Sequence, residues 1–491
     1  MGKDLATLVF APESRVTYRH KVRRCLDAFA QMLHQGVLAG SASDNAMTGL
    51  EIELNLIDDT GRPAMRNAEV LAQLDDPVFQ TELGQFNLEL NAPPRPIAGR
   101  GLEDYERDLL DSLGRADEKT DCGIVLIGML PTLTPDHLVL ENLSANERYR
   151  LLNDEMAGAR GEQFDLDIRG AEQLRSANSS IVTEAACTSV QCHLQVPPDR
   201  FDRYWNASQA IAGIQVAVGA NSPFLHGRRL WAETRIALFQ QATDTRPEEL
   251  KAQGVRPRVW FGERWITSVT DLFDENVRFF APLLPILDEE DPLEVLQAGG
   301  VPRLGELRLH NGTVYRWNRP VYDVMDGRPH LRVENRVLPS GPTVADLLAN
   351  AAFYFGLVRQ LAEDDRPIWS RLPFAAAQDN FHAGALRGLE ATAYWPGHGE
   401  TPVAELVRSV LLPLAYEGLD SYGVEPAIRD RLLGIIDERC RLGRNGAWWQ
   451  TEAVRVAESR GLSRSAALHD MLLRYTDLHR TNAPVHTWPT T

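Results

Sequence analysis

The sequence predicts an α+β protein, with two-residue strand periods in its first two thirds, helical periods between them and a long helical stretch towards the end. Three observations carry this reading. Residues 50–56, 86–91 and 190–196 alternate apolar with polar side chains, residues 14–38, 102–120, 202–219 and 343–362 repeat apolar residues every three to four positions, and most of 401–480 does the same. With no repeat, low-complexity tract or linker along 491 residues, the simplest partition is one main domain over 1–400 and a helical C-terminal subdomain over 401–491.

Each element has its local cause. Val22, Cys25, Leu26, Phe29, Met32 and Leu33 form the apolar stripe of a first helix that ends near residues 36–40. Leu50, Ile52, Leu54 and Leu56 then alternate with Glu51, Glu53 and Asn55, so both glutamates share the face opposite the apolar residues, and Asp58-Asp59-Thr60-Gly61 supplies a turn. Phe86, Leu88 and Leu90 alternate with Asn87, Glu89 and Asn91, and Pro93, Pro94 and Pro96 are expected to end that strand. Residues 123–129 read as a fully buried strand, and Val190, Cys192, Leu194 and Val196 alternate with Gln191, His193 and Gln195. Asn221-Ser222-Pro223 stops the 202–219 helix. Strand-like runs follow at 306–309, 313–317 and 331–337.

Composition excludes several classes. A formal charge of −17 argues against nucleic acid or an anionic membrane as the main partner, since both reward clustered Lys and Arg. Nearly all the basic residues are Arg, which suits phosphate or carboxylate binding, although a GC-rich coding sequence explains the same bias. The five cysteines form no CxxC pair and suit a reducing, cytoplasmic setting, and the first residues lack an apolar signal core. Ala6 stands where a myristoylation site needs Ser or Thr. The longest apolar run, 211–220, falls far short of the roughly 20 residues that cross a bilayer and reads as a buried helix.

The chemistry lies on the polar strand faces. Glu51, Glu53, Glu89, Gln191, His193 and Glu334 sit in otherwise apolar alternation, and if their strands share one sheet the site is rich in oxygen ligands for a hard cation such as Mg²⁺ or Mn²⁺. Carboxylates gathered in this way repel unless a cation neutralises them. For any one strand alone, a half-solvated sheet with glutamates facing water explains the pattern as well. Repetition across strands favours the joint reading. Arg235, Arg316, Arg319 and Arg336 add candidates for phosphate binding, and Glu334 and Arg336, two residues apart on a strand, share a face.

Five stretches, taken in order, resemble the glutamate–cysteine ligase family, in particular its branch of bacterial carboxylate-amine ligases and plant-type glutamate–cysteine ligases. They are Gly49-Leu50-Glu51-Ile52-Glu53-Leu54, Phe86-Asn87-Leu88-Glu89-Leu90, Val190-Gln191-Cys192-His193-Leu194, Ala220-Asn221-Ser222-Pro223-Phe224, and the region from His310-Asn311-Gly312-Thr313 to Glu334-Asn335-Arg336. The likeness continues to about residue 395 through Asp379-Asn380-Phe381 and Arg387-Gly388-Leu389. It implies a glutamine-synthetase-like fold, a curved and mostly antiparallel sheet with outer helices, whose concave face binds ATP and metal. It also implies Mg²⁺ ligation by Glu51, Glu53, Glu89, His193 and Glu334, with phosphate contacts from Arg336 and Arg235. ATP would phosphorylate a carboxylate, the γ-carboxylate of glutamate above all, and an amine such as cysteine would displace the phosphate. No GxxxxGK[ST] loop competes with this reading.

Ala145-Asn146-Glu147-Arg148-Tyr149-Arg150 resembles a substrate-loop motif of that branch and makes Arg148 and Tyr149 substrate-binding candidates beside Gln191 and Arg316, while a plain helix start explains it equally well. Segment 241–300 and the last hundred residues match no motif, which leaves the amine and the acid acceptor open. Amino-acid substrates and a homodimer are the partners the likeness suggests. Two other readings stay open: a phosphoryl-transferring kinase on the same fold, and a silent regulator that binds ATP or an amino acid.

Overall fold

The structure, a computed structural model, describes residues 10, 12–39 and 46–490. The first residues, expected to lack a signal core, and Gly40, at the expected end of the first helix, lie outside them. The first helix spans Pro12–His34. The central sheet has seven strands: β1 (Met47–Ile57), β2 (Phe79–Thr81), β3 (Asn87–Pro96), β4 (Gly123–Val125), β5 (Ser189–Gln195), β6 (Asn318–Met325) and β7 (Arg328–Pro339). Their order is β6-β7-β5-β1-β3-β2, with β4 beside the far end of β1, and every pairing is antiparallel. The sheet curls into a half-barrel, as the α+β expectation requires.

One face of the sheet is apolar and covered. Leu50, Ile52, Leu54, Val190, Cys192, Leu194 and Val333 are all at most 1% exposed, beneath helices Phe201–Gly219 and Val344–Glu363. Burying such side chains contributes about 1.5–3 kcal/mol each. Amides cross this layer in pairs. Gln215 and Asn335 exchange hydrogen bonds at 3.2 Å, and Asn335 also donates to Asn318 and Asn318 to Gln209. Asn335 therefore points to the helices while its neighbours Glu334 and Arg336 point the other way, as the strand period demands.

The C-terminal helices Pro426–Leu442, Gly446–Ser459 and Arg464–Arg480 complete the same cores that hold the sheet. Arg439 and Asp346 form a buried ion pair at 2.8 Å between two of these layers. Asn221 is the hub of the second joint, donating to Ser340 O and Tyr475 Oη and accepting from Gln450 Nε2 at 2.8 Å. A Cβ on Gly446 would lie 2.0 Å from Asn221 Oδ1, so the backbone approach there requires glycine.

Four expectations are corrected, the first being the run 313–317, which is strand only at Tyr315–Arg316 before the long strand that starts at Asn318. The strand holding Glu89 does not end at Pro93 but runs on to Pro96, because β2 pairs with it only up to Leu90 and the register slips opposite Gly49. Proline, which has no N–H to donate, is tolerated at such a free edge and bulge. Residues 306–309 are helical, within Gly305–Gly312, because Glu306 is buried and accepts from Asp288 N at 2.8 Å; the polar residue on the inner face hides the helical period. Residues 123–129 are buried but form a strand only over Gly123–Val125.

Candidate active site

The opposite face of the sheet collects the polar residues in rows set by strand register. Glu89 stands opposite Glu53, Asn91 and Gln191 flank Glu51, and Gly49, His193, Glu334 and Arg319 form a third row. β7 carries a bulge between Asn335 and Leu338, so Arg336 and Val337 share the span opposite Gln191. That bulge lets Arg336 donate from Nη1 to Gln191 Oε1 at 2.7 Å and to Glu334 Oε1.

Glu334 is 1% exposed and held by two guanidiniums. Arg319 grips it through Nε and Nη2, both at 2.8 Å, and Arg336 closes on the same carboxylate. Burial works against its charge, but Arg319, Arg336 and His193 outweigh burial and hold the carboxyl far below the usual range. Glu53 receives Ser189 N at 2.6 Å and Gln191 Nε2 at 3.1 Å, yet burial still pushes its pKa up. Glu89, half-buried beside Asn91, is pushed up to about 7 by burial and by Glu51 and Glu53.

Two carboxylates not foreseen in the sequence belong to this group. Burial and repulsion from Glu53 push Glu184 up to about 8, and burial together with Glu53, Glu89 and Glu184 raises Glu82 well above its ordinary value. Glu184 lies in the 3₁₀ turn Ile181–Ala186, where its one signal was a lone acid in an apolar run. Glu82 follows the three-residue β2 and leaves no periodic trace. Tyr149 reaches the group too, its hydroxyl 3.4 Å from Glu82 Oε2, from the first turn of the helix Glu147–Arg160 that Asn146 caps. Arg148 is exposed beside it.

Arg235 lies beneath the bulge, 3% exposed, with Nε on Glu233 at 3.0 Å and its terminal nitrogens on the carbonyls of Arg336 and Val337. It lines a small cleft with Glu53, Glu184, Ser189 and Arg336. The structure does not bring Arg316 to this face. Its guanidinium is spent on Asn276 at 3.0 Å and Glu275 at 2.9 Å and stacks on Trp260, since successive residues of a short strand point to opposite sides.

A hard divalent cation fits the carboxylates. Glu51, Glu53 and Glu89 supply oxygen donors only; burial raises the pKa of Glu53 against the pull of Arg336 and Arg235, and burial with repulsion from Glu51 and Glu53 raises that of Glu89. Among the described residues, no three His, Cys, Asp or Glu side chains are already gathered at ligand spacing. His193 Nδ1 accepts from Arg332 Nε at 3.1 Å, while its Nε2 is buried, lies 3.1 Å from Glu51 Oε1 and makes no aligned hydrogen bond. Burial opposes the charge of Glu51, but His193 and Arg319 hold its pKa down.

Two solved structures share this architecture. The glutamate–cysteine ligase of Francisella tularensis, solved in complex with AMP, superposes with a TM-score of 0.56 at 12% identity, over 91% of this chain and 90% of that one. The bifunctional glutathione synthetase of Pasteurella multocida superposes with a TM-score of 0.50 at 14% identity, over 91% of this chain, which spans about half (54%) of that longer protein. No curated protein matches by sequence. The half-barrel with its acidic and arginine-bearing inner face is the glutamine-synthetase-like fold of ATP-dependent carbon–nitrogen ligases. The model of glutamate–cysteine ligase family 2 (GCS2) matches residues 47–459, and the chain belongs to that family. It is an ATP-dependent carboxylate–amine ligase. Among the described residues, no helix is long and apolar enough to cross a membrane.

Proposed function

We propose that the protein joins the γ-carboxylate of glutamate to an amine, cysteine being the first candidate, through an acyl phosphate. The observation that supports this most is the Glu334–Arg336–Gln191 contact, which sets a guanidinium beside the Glu53 and Glu89 carboxylates on one sheet face. A carboxylate oxygen of the acid attacks the γ-phosphorus and ADP leaves; the amine nitrogen then attacks the acyl carbon, the phosphate departs and a proton is lost. Arg336 faces the transferring phosphoryl group, and Gln191 and Glu334 hold it there before substrate arrives, so little reorganisation is required as charge develops. Arg235 holds the bulge by its carbonyls and thereby positions Arg336. When bound, Mg²⁺, or Mn²⁺ in its stead, would neutralise the phosphate oxygens. Glu51, Glu53 and Glu89 would hold the cation, with His193 and Glu334 joining if they exchange their present partners. Tyr149 and Arg148 stand where the acid substrate would enter beside Glu82.

ADP release by purified protein, with ATP and Mg²⁺ across a panel of amino-acid pairs and mass spectrometry of products, tests this. ADP that requires both glutamate and one amine, with the matching amide mass, is the expected result. ADP without an amine would instead identify a kinase, and nucleotide binding without ADP from any pair would identify a silent regulator.

A further inference from the structure

Residues of segment 241–300, together with Arg15 and the helix Glu147–Arg160, line a cavity of about 610 Å³ well supplied with arginine. Three of the arginines lining it are neutralised: Arg15 by Glu155, Arg246 by Asp244 at 2.8 Å and Arg256 by Glu263 at 2.6 Å. Arg258 is not. It is 5% exposed, and among the described residues its terminal nitrogens donate only to the carbonyls of Thr313, at 3.0 Å, and Ala281. Carbonyls satisfy its hydrogens but leave its charge, and burial pushes its pKa down to about 10. A buried cation without a counter-ion is costly, so its retention calls for an anion from outside.

The remaining lining narrows the anion. Phe279 and Val255, 45% and 38% exposed, place large apolar side chains where solvent reaches, and Pro282 and Leu283 continue the apolar wall. Asp154 also lines the cavity, exposed and without an arginine partner among the described residues. An acid in the wall disfavours a polyanion and favours a ligand that carries its own cation.

We propose that this cavity binds a zwitterionic amino acid with an apolar side chain. Its carboxylate pairs with Arg258, its ammonium group faces Asp154 and its side chain lies against Phe279 and Val255. Its lining shares no residue with the cleft of Glu53, Glu184 and Arg336, and the proposal does not depend on which acid and amine the ligase joins.

Isothermal titration calorimetry of the full chain with L-leucine, L-leucinamide and glycine tests this. Saturable binding of leucine is expected, with leucinamide, which lacks the carboxylate, and glycine, which lacks the side chain, each weaker by about tenfold or more. Arg258→Met should abolish leucine binding. Should that variant not fold, Phe279→Asp at the exposed mouth supplies the same test by placing an anion beside the site. Arg336→Met on the catalytic face should leave leucine binding unchanged. Absence of leucine binding, equal binding of leucinamide, binding that survives Phe279→Asp, or binding lost in Arg336→Met would each overturn the proposal.

Discussion

Glu53 and Glu89 face each other in register on the adjacent antiparallel strands β1 and β3, two acids paired where like charges destabilise a sheet. Each has its pKa raised, first by burial. Such an arrangement persists because something else gains from it, and a bound divalent cation is the economical explanation.

Mg²⁺ should therefore raise the thermal midpoint. At a concentration about a hundred times its dissociation constant it adds about 2.7 kcal/mol. Glu89→Gln should stabilise the metal-free protein by removing the repulsion and should shrink the Mg²⁺ response. Differential scanning fluorimetry of both proteins, with and without Mg²⁺, checks this; an unchanged response in Glu89→Gln would remove Glu89 from the metal site.

Arg336→Lys should lower turnover by roughly 10³-fold, in the range found for arginines that neutralise a transferring phosphoryl group. A lysine cannot touch Gln191 and Glu334 and still present a planar fork. Circular dichroism should be unchanged, because Arg319 continues to hold Glu334. The readout is ADP release under saturating substrates.

Asp346→Ala should cost about 3–5 kcal/mol, the penalty for leaving a buried ion without its partner. Asp346 and Arg439 are 0% and 1% exposed, and Asp346 Oδ2 also accepts from Val485 N at 3.0 Å. Urea unfolding measures this loss, and replacing Arg439 as well should recover part of it.

His310 makes a pH-dependent contribution. Burial pushes its pKa down from 6.5 to about 4, with one ring nitrogen on Asn276 O at 2.9 Å, the other buried without a partner, and Arg258 opposing further positive charge. Between those two pH values the unfolded chain binds the extra proton, so stability is full above 6.5 and declines as pH falls towards 4. The contribution between pH 7 and pH 5 is about 2 kcal/mol. In His310→Gln this component should vanish from urea midpoints compared at the two pH values.

Strand faces are legible in the sequence because side chains alternate strictly along an extended chain. Glu51, Glu53, Glu89, Gln191, His193 and Glu334 all lie on the polar sheet face, where alternation assigns them. The helical segments are legible for the same kind of reason, their period being long enough to be distinctive. The shorter helices Asn67–Leu74, Thr234–Ala242, Val269–Phe279 and Phe374–Arg387 are not read from the sequence, and residues 306–309 are too few for the two periods to be told apart when a buried glutamate interrupts the apolar pattern.

By itself, then, the sequence determined the long helices and the strands that carry Glu51, Glu89, His193 and Glu334, with the face each of these residues occupies, because both depend on local periods of two and 3.6 residues. Which faces meet was decided by tertiary structure alone. Strand register set Glu53 against Glu89, the bulge aimed Arg336 at Gln191, and a 3₁₀ turn and a strand end brought in Glu184 and Glu82, which no period could mark. The same long-range packing turned Arg316 away from the site and left Arg258 buried without a carboxylate partner among the described residues. Charge pairing across a sheet depends on contacts between residues remote in sequence, and no local pattern encodes them.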